Sequence, residues 1–131
     1  MKINVHKTNW DLICSSEKLN ESFIRKYKDH INWYLVCIYQ DLSEKFIEEF
    51  LEHVDWPAVS SNQDLSEKFI EKYKYFVDWD CISRTQNLSV DFIIRHIDMI
   101  NIKELLLNEN VDLEELEERG IFVVSKLIRK L

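Results

Sequence analysis

Residues 55–77 read DWPAVSSNQDLSEKFIEKYKYFV, and residues 78–100, DWDCISRTQNLSVDFIIRHIDMI, repeat their pattern. All four tryptophans, Trp10, Trp33, Trp56 and Trp79, stand 23 residues apart, and Asn9, Asn32, Asp55 and Asp78 immediately precede them. Leu19, Leu42, Leu65, Leu88 and Val111 keep the same step, as do Phe23, Phe46, Phe69 and Phe92. A fixed period of this size means stacked supersecondary units, each too small to bury its own apolar face and dependent on its neighbours. The units cover about residues 9–31, 32–54, 55–77 and 78–100, with a degenerate fifth unit and a C-terminal cap over 101–131.

Within the third unit, Asp55 has the chemistry of a helix N-cap, and Trp56 and Pro57 fit a first turn, where a missing N–H costs nothing. Val54 and Val59 stand at the two positions of a hydrophobic staple. Ser66 can cap a second helix that Glu67 opens with a favourable charge, and Leu65 and Ile70 form its staple. The pairs recur as Leu19 with Ile24, Leu42 with Ile47, Leu88 with Ile93, Ile31 with Val36 and Val77 with Ile82. Phe69, Ile70, Tyr73 and Val77 fall on one helical arc of about 100°. The pattern predicts a first helix over Trp56–Asn62 and a second of about ten residues over Glu67–Phe76.

One glycine and one proline are too few for an all-β fold, which needs turn residues every ~8–12 positions. No unit has the L-x-x-L-x-L alternation of a leucine-rich repeat. The predicted fold is therefore all-α: an α-solenoid of tandem 23-residue two-helix repeats with degenerate terminal caps, forming one domain over residues 1–131. In the caps, Thr8 replaces an apolar staple residue, Ile102 replaces tryptophan and Glu115 replaces phenylalanine. Gly120 reads as a left-handed helix stop, after which Ile121, Val124, Ile128 and Leu131 have the spacing of a final amphipathic helix.

The motif W-x-x-I-S-x-x-Q-x-L-S-E-x-F-I is matched from Trp79 to Ile93 with Ile82, Ser83, Gln86, Leu88, Ser89, Phe92 and Ile93 in place and Val90 at the glutamate position. It resembles the short tryptophan-bearing repeats of uncharacterised proteins of large DNA viruses and some bacteriophages. The stretches DLSEKFIE at residues 41–48 and 64–71 look most like it, and the resemblance covers about residues 9–101. It implies a viral or phage origin and a protein that engages host machinery, and it offers no catalytic residues to carry over.

No apolar run approaches the ~18 residues of a membrane span, and residues 1–8 lack the apolar core of a signal peptide. A cytoplasmic location is expected, that of the host cell if the chain is viral. Cys14 and Cys37 share one slot in adjacent repeats, roughly 8–10 Å apart by helix packing and beyond the ~7 Å reach of a disulfide. The three cysteines therefore read as reduced, half-buried thiols. His6, His30, His53 and His96 are too dispersed for a zinc site. A Cys37 pairing with His30 or His53 lacks both a third group and an oxyanion loop. Neither an enzyme nor a cofactor is expected. Gln40, Gln63 and Gln86, with Glu17 and Glu109 in the terminal units, fit a structural role in the interhelix links better than a ligand ladder.

The net charge of −7 disfavours direct nucleic-acid binding. Seven acids, Glu104, Glu109, Asp112, Glu114, Glu115, Glu117 and Glu118, lie in one stretch without a base, so the acidity is a local patch. Tyr34, Ile38 and Tyr39 occupy slots that are polar or proline in the first and third units, and Tyr75 and Phe76 replace Glu52 and His53. Such residues are candidate anchors of an interface. The sequence thus points to a non-enzymatic module that binds a host or viral protein. The alternative is an acidic inhibitor, anti-CRISPR-like in manner, that mimics nucleic acid and uses the patch to occupy a basic groove on a host defence or nucleic-acid-binding protein.

Overall fold

Ten short helices, each opened by a side-chain cap, make up the computed structural model, which describes residues 2–121 and contains no strand among them. The first helices begin at the tryptophan slot: α1 (Trp10–Ser16), α3 (Trp33–Tyr39), α5 (Trp56–Asn62), α7 (Trp79–Thr85) and α9 (Ile102–Leu105). Between and after them come α2 (Glu21–Lys26), α4 (Glu44–Glu49), α6 (Glu67–Lys72), α8 (Val90–Arg95) and α10 (Leu113–Glu118). Asn9, Asn32, Asp55, Asp78 and Asn101 accept from the N–H three residues on, and Asn20, Ser43, Ser66, Ser89 and Asp112 do the same for the second helices. Helices this short are marginal alone, so caps and tertiary burial carry them.

The chain forms two compact units, Met1–Gln63 and Asp64–Leu131. In the first, α3 packs between α1 and α5, over a core that includes Ile24, Val36, Phe46, Ile47 and Val59. In the second, α7 packs on α9, and Ile70, Ile82, Phe92, Ile93, Leu105 and Leu116 are buried. Both members of the staples Ile31–Val36, Leu42–Ile47 and Val54–Val59 in the first unit are buried, as are those of Leu65–Ile70, Val77–Ile82 and Leu88–Ile93 in the second.

The second helices are six residues long, not ten. Tyr73 leaves helical geometry at φ −109°, ψ 30°, and its carbonyl accepts from both Phe76 and Val77 in a separate tight turn. The stripe of Phe69, Ile70, Tyr73 and Val77 is buried throughout, so one apolar face runs across helix and turn alike. A tryptophan seals that turn from the next repeat. Trp79 Nε1–H donates to the Lys74 carbonyl at 2.7 Å, and Trp33 Nε1–H donates to that of Lys28 at 3.0 Å. Each ring packs on its own second helix, Trp33 against Phe46 and Phe50, Trp79 against Phe92. These indoles are half-buried and span the repeat junction.

Helix α10 ends in a Schellman motif: Gly120, at φ +80°, donates to Glu117, and Ile121 donates to Leu116. The amphipathic helix expected after Gly120 falls, from residue 122 onward, outside the described residues.

Candidate functional site

Most of the repeated polar residues hold repeats together and are thereby removed from the list of binding groups. Gln40 Nε2–H donates to the carbonyls of Cys14 and Glu17 at 2.8 and 2.7 Å, and its Oε1 accepts from Leu19 N–H at 2.7 Å. Gln63 repeats the device on Cys37, Gln40 and Leu42. In the last repeat the amide comes from Asn108, which donates to Ser83 and Gln86, and not from the neighbouring Glu109 slot. Helix α9 has only four residues, and its closing turn brings Asn108 to that point one position early.

Two further links act between repeats. Glu21 accepts from Ser43 N–H and Oγ–H at 2.6 and 3.0 Å, and Glu67 makes the same pair of bonds to Ser89. The acid that opens each of these second helices therefore also steadies the cap of the next. Asn32 and Asn101, besides capping, donate to Asp11 and Asp80 at 3.0 and 2.8 Å.

The cysteine slot is structural as well. Cys14 and Cys37 are fully buried rather than half-buried, whereas Cys81 is only partly covered. Their sulfurs take the backbone N–H of Asn32 and Asp55, and Ser83 Oγ takes that of Asn101 at 3.0 Å. Burial pushes the Cys37 thiol up from its ordinary 9.0 to about 11, so it carries no thiolate nucleophile at neutral pH. Cys37→Ser should be nearly neutral, because serine serves the same slot at Ser83. Cys37→Ala should cost about 1–3 kcal/mol by orphaning the Asp55 N–H. Because the folded pKa lies above the unfolded one, the wild type should lose stability as pH rises from 9.0 towards about 11. Denaturant titration across that range should find this loss reduced in Cys37→Ser, the remainder coming from Cys14, whose thiol burial also raises.

His30 stacks on Trp10 at 5.7 Å, and His53 lies 5.1 Å from Trp33. His96 is packed against Trp79 and Phe92, with its Nε2 facing the Glu71 carboxylate. His6 is exposed in the N-terminal segment. Among the described residues no group of three His, Cys, Asp or Glu side chains is placed to hold a metal ion. No helix among them is long and apolar enough to cross a membrane.

The apolar candidates lie elsewhere. Tyr34 and Ile38, one turn apart on α3, line a groove of about 180 Å³ together with Asp55, Pro57, Ala58, Ser61 and Asn62 of the α5 repeat. Tyr34 is 55% exposed, and Tyr39, at the end of the same helix but outside the groove, is 58% exposed. In the second unit Tyr75 is 82% exposed beneath the Lys74 ammonium at 5.3 Å, and Phe76, 62% exposed, meets Tyr73 edge-on. Leu12 and Leu107 are exposed too, and sequence reasoning missed both. Leu12 shares its slot with the buried Ala58, so the repeat register marks it as covered and no sequence signal singles it out.

The acidic stretch is less uniform than its sequence. Asp112 caps α10, Glu104 faces Arg84 at 3.7 Å, and Glu115 lies 3.8 Å from Arg119, which also reaches Asp91 at 3.1 Å. Glu109, Glu114 and Glu118 are exposed, and Glu117 is half-buried. No family model, curated protein or solved structure matches this chain.

Proposed function

We propose that the protein is a non-enzymatic protein-binding module whose docking surface centres on Tyr34 and Ile38, with Tyr39 beside them. In keeping with the resemblance of its repeats, we read it as a viral or phage effector acting on a host protein. The observation that carries the reading is the exposure of Tyr34 and Tyr39 on a helix whose other repeats are polar or proline at these slots. Exposed aromatics beside a groove supply contact area at low conformational cost, and such residues dominate interface energetics. The remaining repeated polar groups are occupied in joining repeats, and the buried thiols are inert, which leaves little material for catalysis.

The acidic-mimic reading draws less support, because Asp112, Glu104 and Glu115 have intramolecular roles. Affinity capture from host lysate at low and high salt separates the two. Tyr34→Ala with Ile38→Ala should abolish capture while leaving the melting temperature within a few degrees, and capture by the wild type should survive salt. Loss of capture instead in the Glu114→Gln, Glu115→Gln, Glu117→Gln, Glu118→Gln variant, together with salt sensitivity of the wild type, would replace this reading with the acidic one.

A further inference from the structure

The caps of the first helices follow a pairing rule. For two asparagine caps, Asn32 and Asn101, the residue 21 positions earlier is an aspartate, Asp11 and Asp80, that accepts from the cap's amide. Asp55 has the same place in its repeat, and the residue 21 positions earlier is Tyr34. A second carboxylate there would repel it, and the tyrosine makes no hydrogen bond to it. Asp55 Oδ1 accepts from Ala58 N–H at 2.9 Å. Among the described residues nothing donates to Oδ2, and the Ser61 hydroxyl on the same groove has no partner either.

The groove therefore combines an apolar lining of Tyr34, Ile38, Pro57 and Ala58 with a carboxylate oxygen at its edge that no other described side chain engages. Its volume of about 180 Å³ falls below the ~300–1,000 Å³ of small-molecule sites and suits a single inserted side chain.

We propose that the groove receives a peptide segment of a partner protein in which an aliphatic or aromatic residue stands beside an arginine or lysine. The apolar side chain fills the space over Ile38 and Pro57, and the cation pairs with Asp55 Oδ2 next to the Tyr34 ring. A charge-assisted bond at the edge of an apolar seat fixes the register of the segment and rejects acidic ones. This inference rests on the protein-binding reading above and adds the chemistry of the partner.

Asp55→Asn is the discriminating variant, since asparagine caps the first helices at Asn9, Asn32 and Asn101 and so preserves α5 while removing the charge. Circular dichroism and thermal melting check that it folds as the wild type does. A library of random dodecapeptides displayed on phage is selected on the full chain, and enriched peptides are synthesised and titrated by fluorescence anisotropy. The expected peptides carry a basic residue within two positions of an aliphatic or aromatic one. Their Kd should rise at least ~10-fold on Asp55→Asn and on Tyr34→Ala with Ile38→Ala. Replacing the peptide's basic residue by glutamine should make Asp55→Asn silent. Peptides that need Tyr34 and Ile38 but bind Asp55→Asn unchanged would overturn this inference and leave the protein-binding reading standing. An empty selection, or peptides indifferent to Tyr34 and Ile38, would overturn both.

Discussion

Gln63→Leu should lower the stability of the protein by about 3–5 kcal/mol, although it exchanges one buried side chain for another of similar size. The amide of Gln63 is buried, donates to the carbonyls of Cys37 and Gln40 at 2.8 and 2.7 Å, and accepts from Leu42 N–H at 3.0 Å. Leucine leaves three buried backbone groups without that partner, and each such loss costs about 1–3 kcal/mol before local relaxation. Urea unfolding followed by circular dichroism measures the difference. A loss below about 1 kcal/mol would mean that water replaces the amide and that the clamp is dispensable. Gln63→Glu sharpens the test through pH. The protonated acid can still donate once, whereas the carboxylate sets negative charge against two carbonyl oxygens. Its pKa is therefore raised in the folded state, and this variant should lose stability relative to the wild type as pH rises through that value.

Trp79→Ala should cost about 2–4 kcal/mol, less than a fully buried tryptophan because the ring is only half-covered. Two separate losses are expected: the ring contacts with Phe92 and His96, and the bond to the Lys74 carbonyl. Trp79→Phe divides them, since it keeps an aromatic face and removes the N–H, and it should cost about 1 kcal/mol. Equal losses in the two variants would assign the tryptophan's role to its hydrogen bond alone.

The fold was largely legible in the residues because the cap and staple chemistry is local. Asp55, Trp56 and Pro57 identify the start of α5 without any tertiary information, and Trp56–Asn62 is the helix observed. The end of the second helices was not legible. A helix and a helix followed by a tight turn both present Phe69, Ile70, Tyr73 and Val77 to one side, so apolar spacing cannot tell them apart. The shift of the last amide from residue 109 to Asn108 was hidden for a related reason: a fixed period assumes helices of equal length, and α9 is short. Of the candidate surface, the sequence identified Tyr34, Ile38, Tyr39, Tyr75 and Phe76, because departures from a repeat need no coordinates to be seen. The Asp55 oxygen and the Ser61 hydroxyl on the same groove became visible only when the partners of Asn32 and Asn101 were known. Nothing in the composition says which carboxylate lacks a donor.

The direction of the amide clamp gives the array a head and a tail. Gln40, Gln63 and Asn108 all reach backwards, each carrying the connector for the repeat before it, whereas the first repeat has the exposed Glu17 at that slot. A 23-residue block is therefore a self-contained module that arrives with its own fastening. Duplication or excision of whole blocks leaves an amide with its carbonyls at the joints that remain, so the length of such a protein can change in single genetic steps. An insertion of any other size would part an amide from its carbonyls.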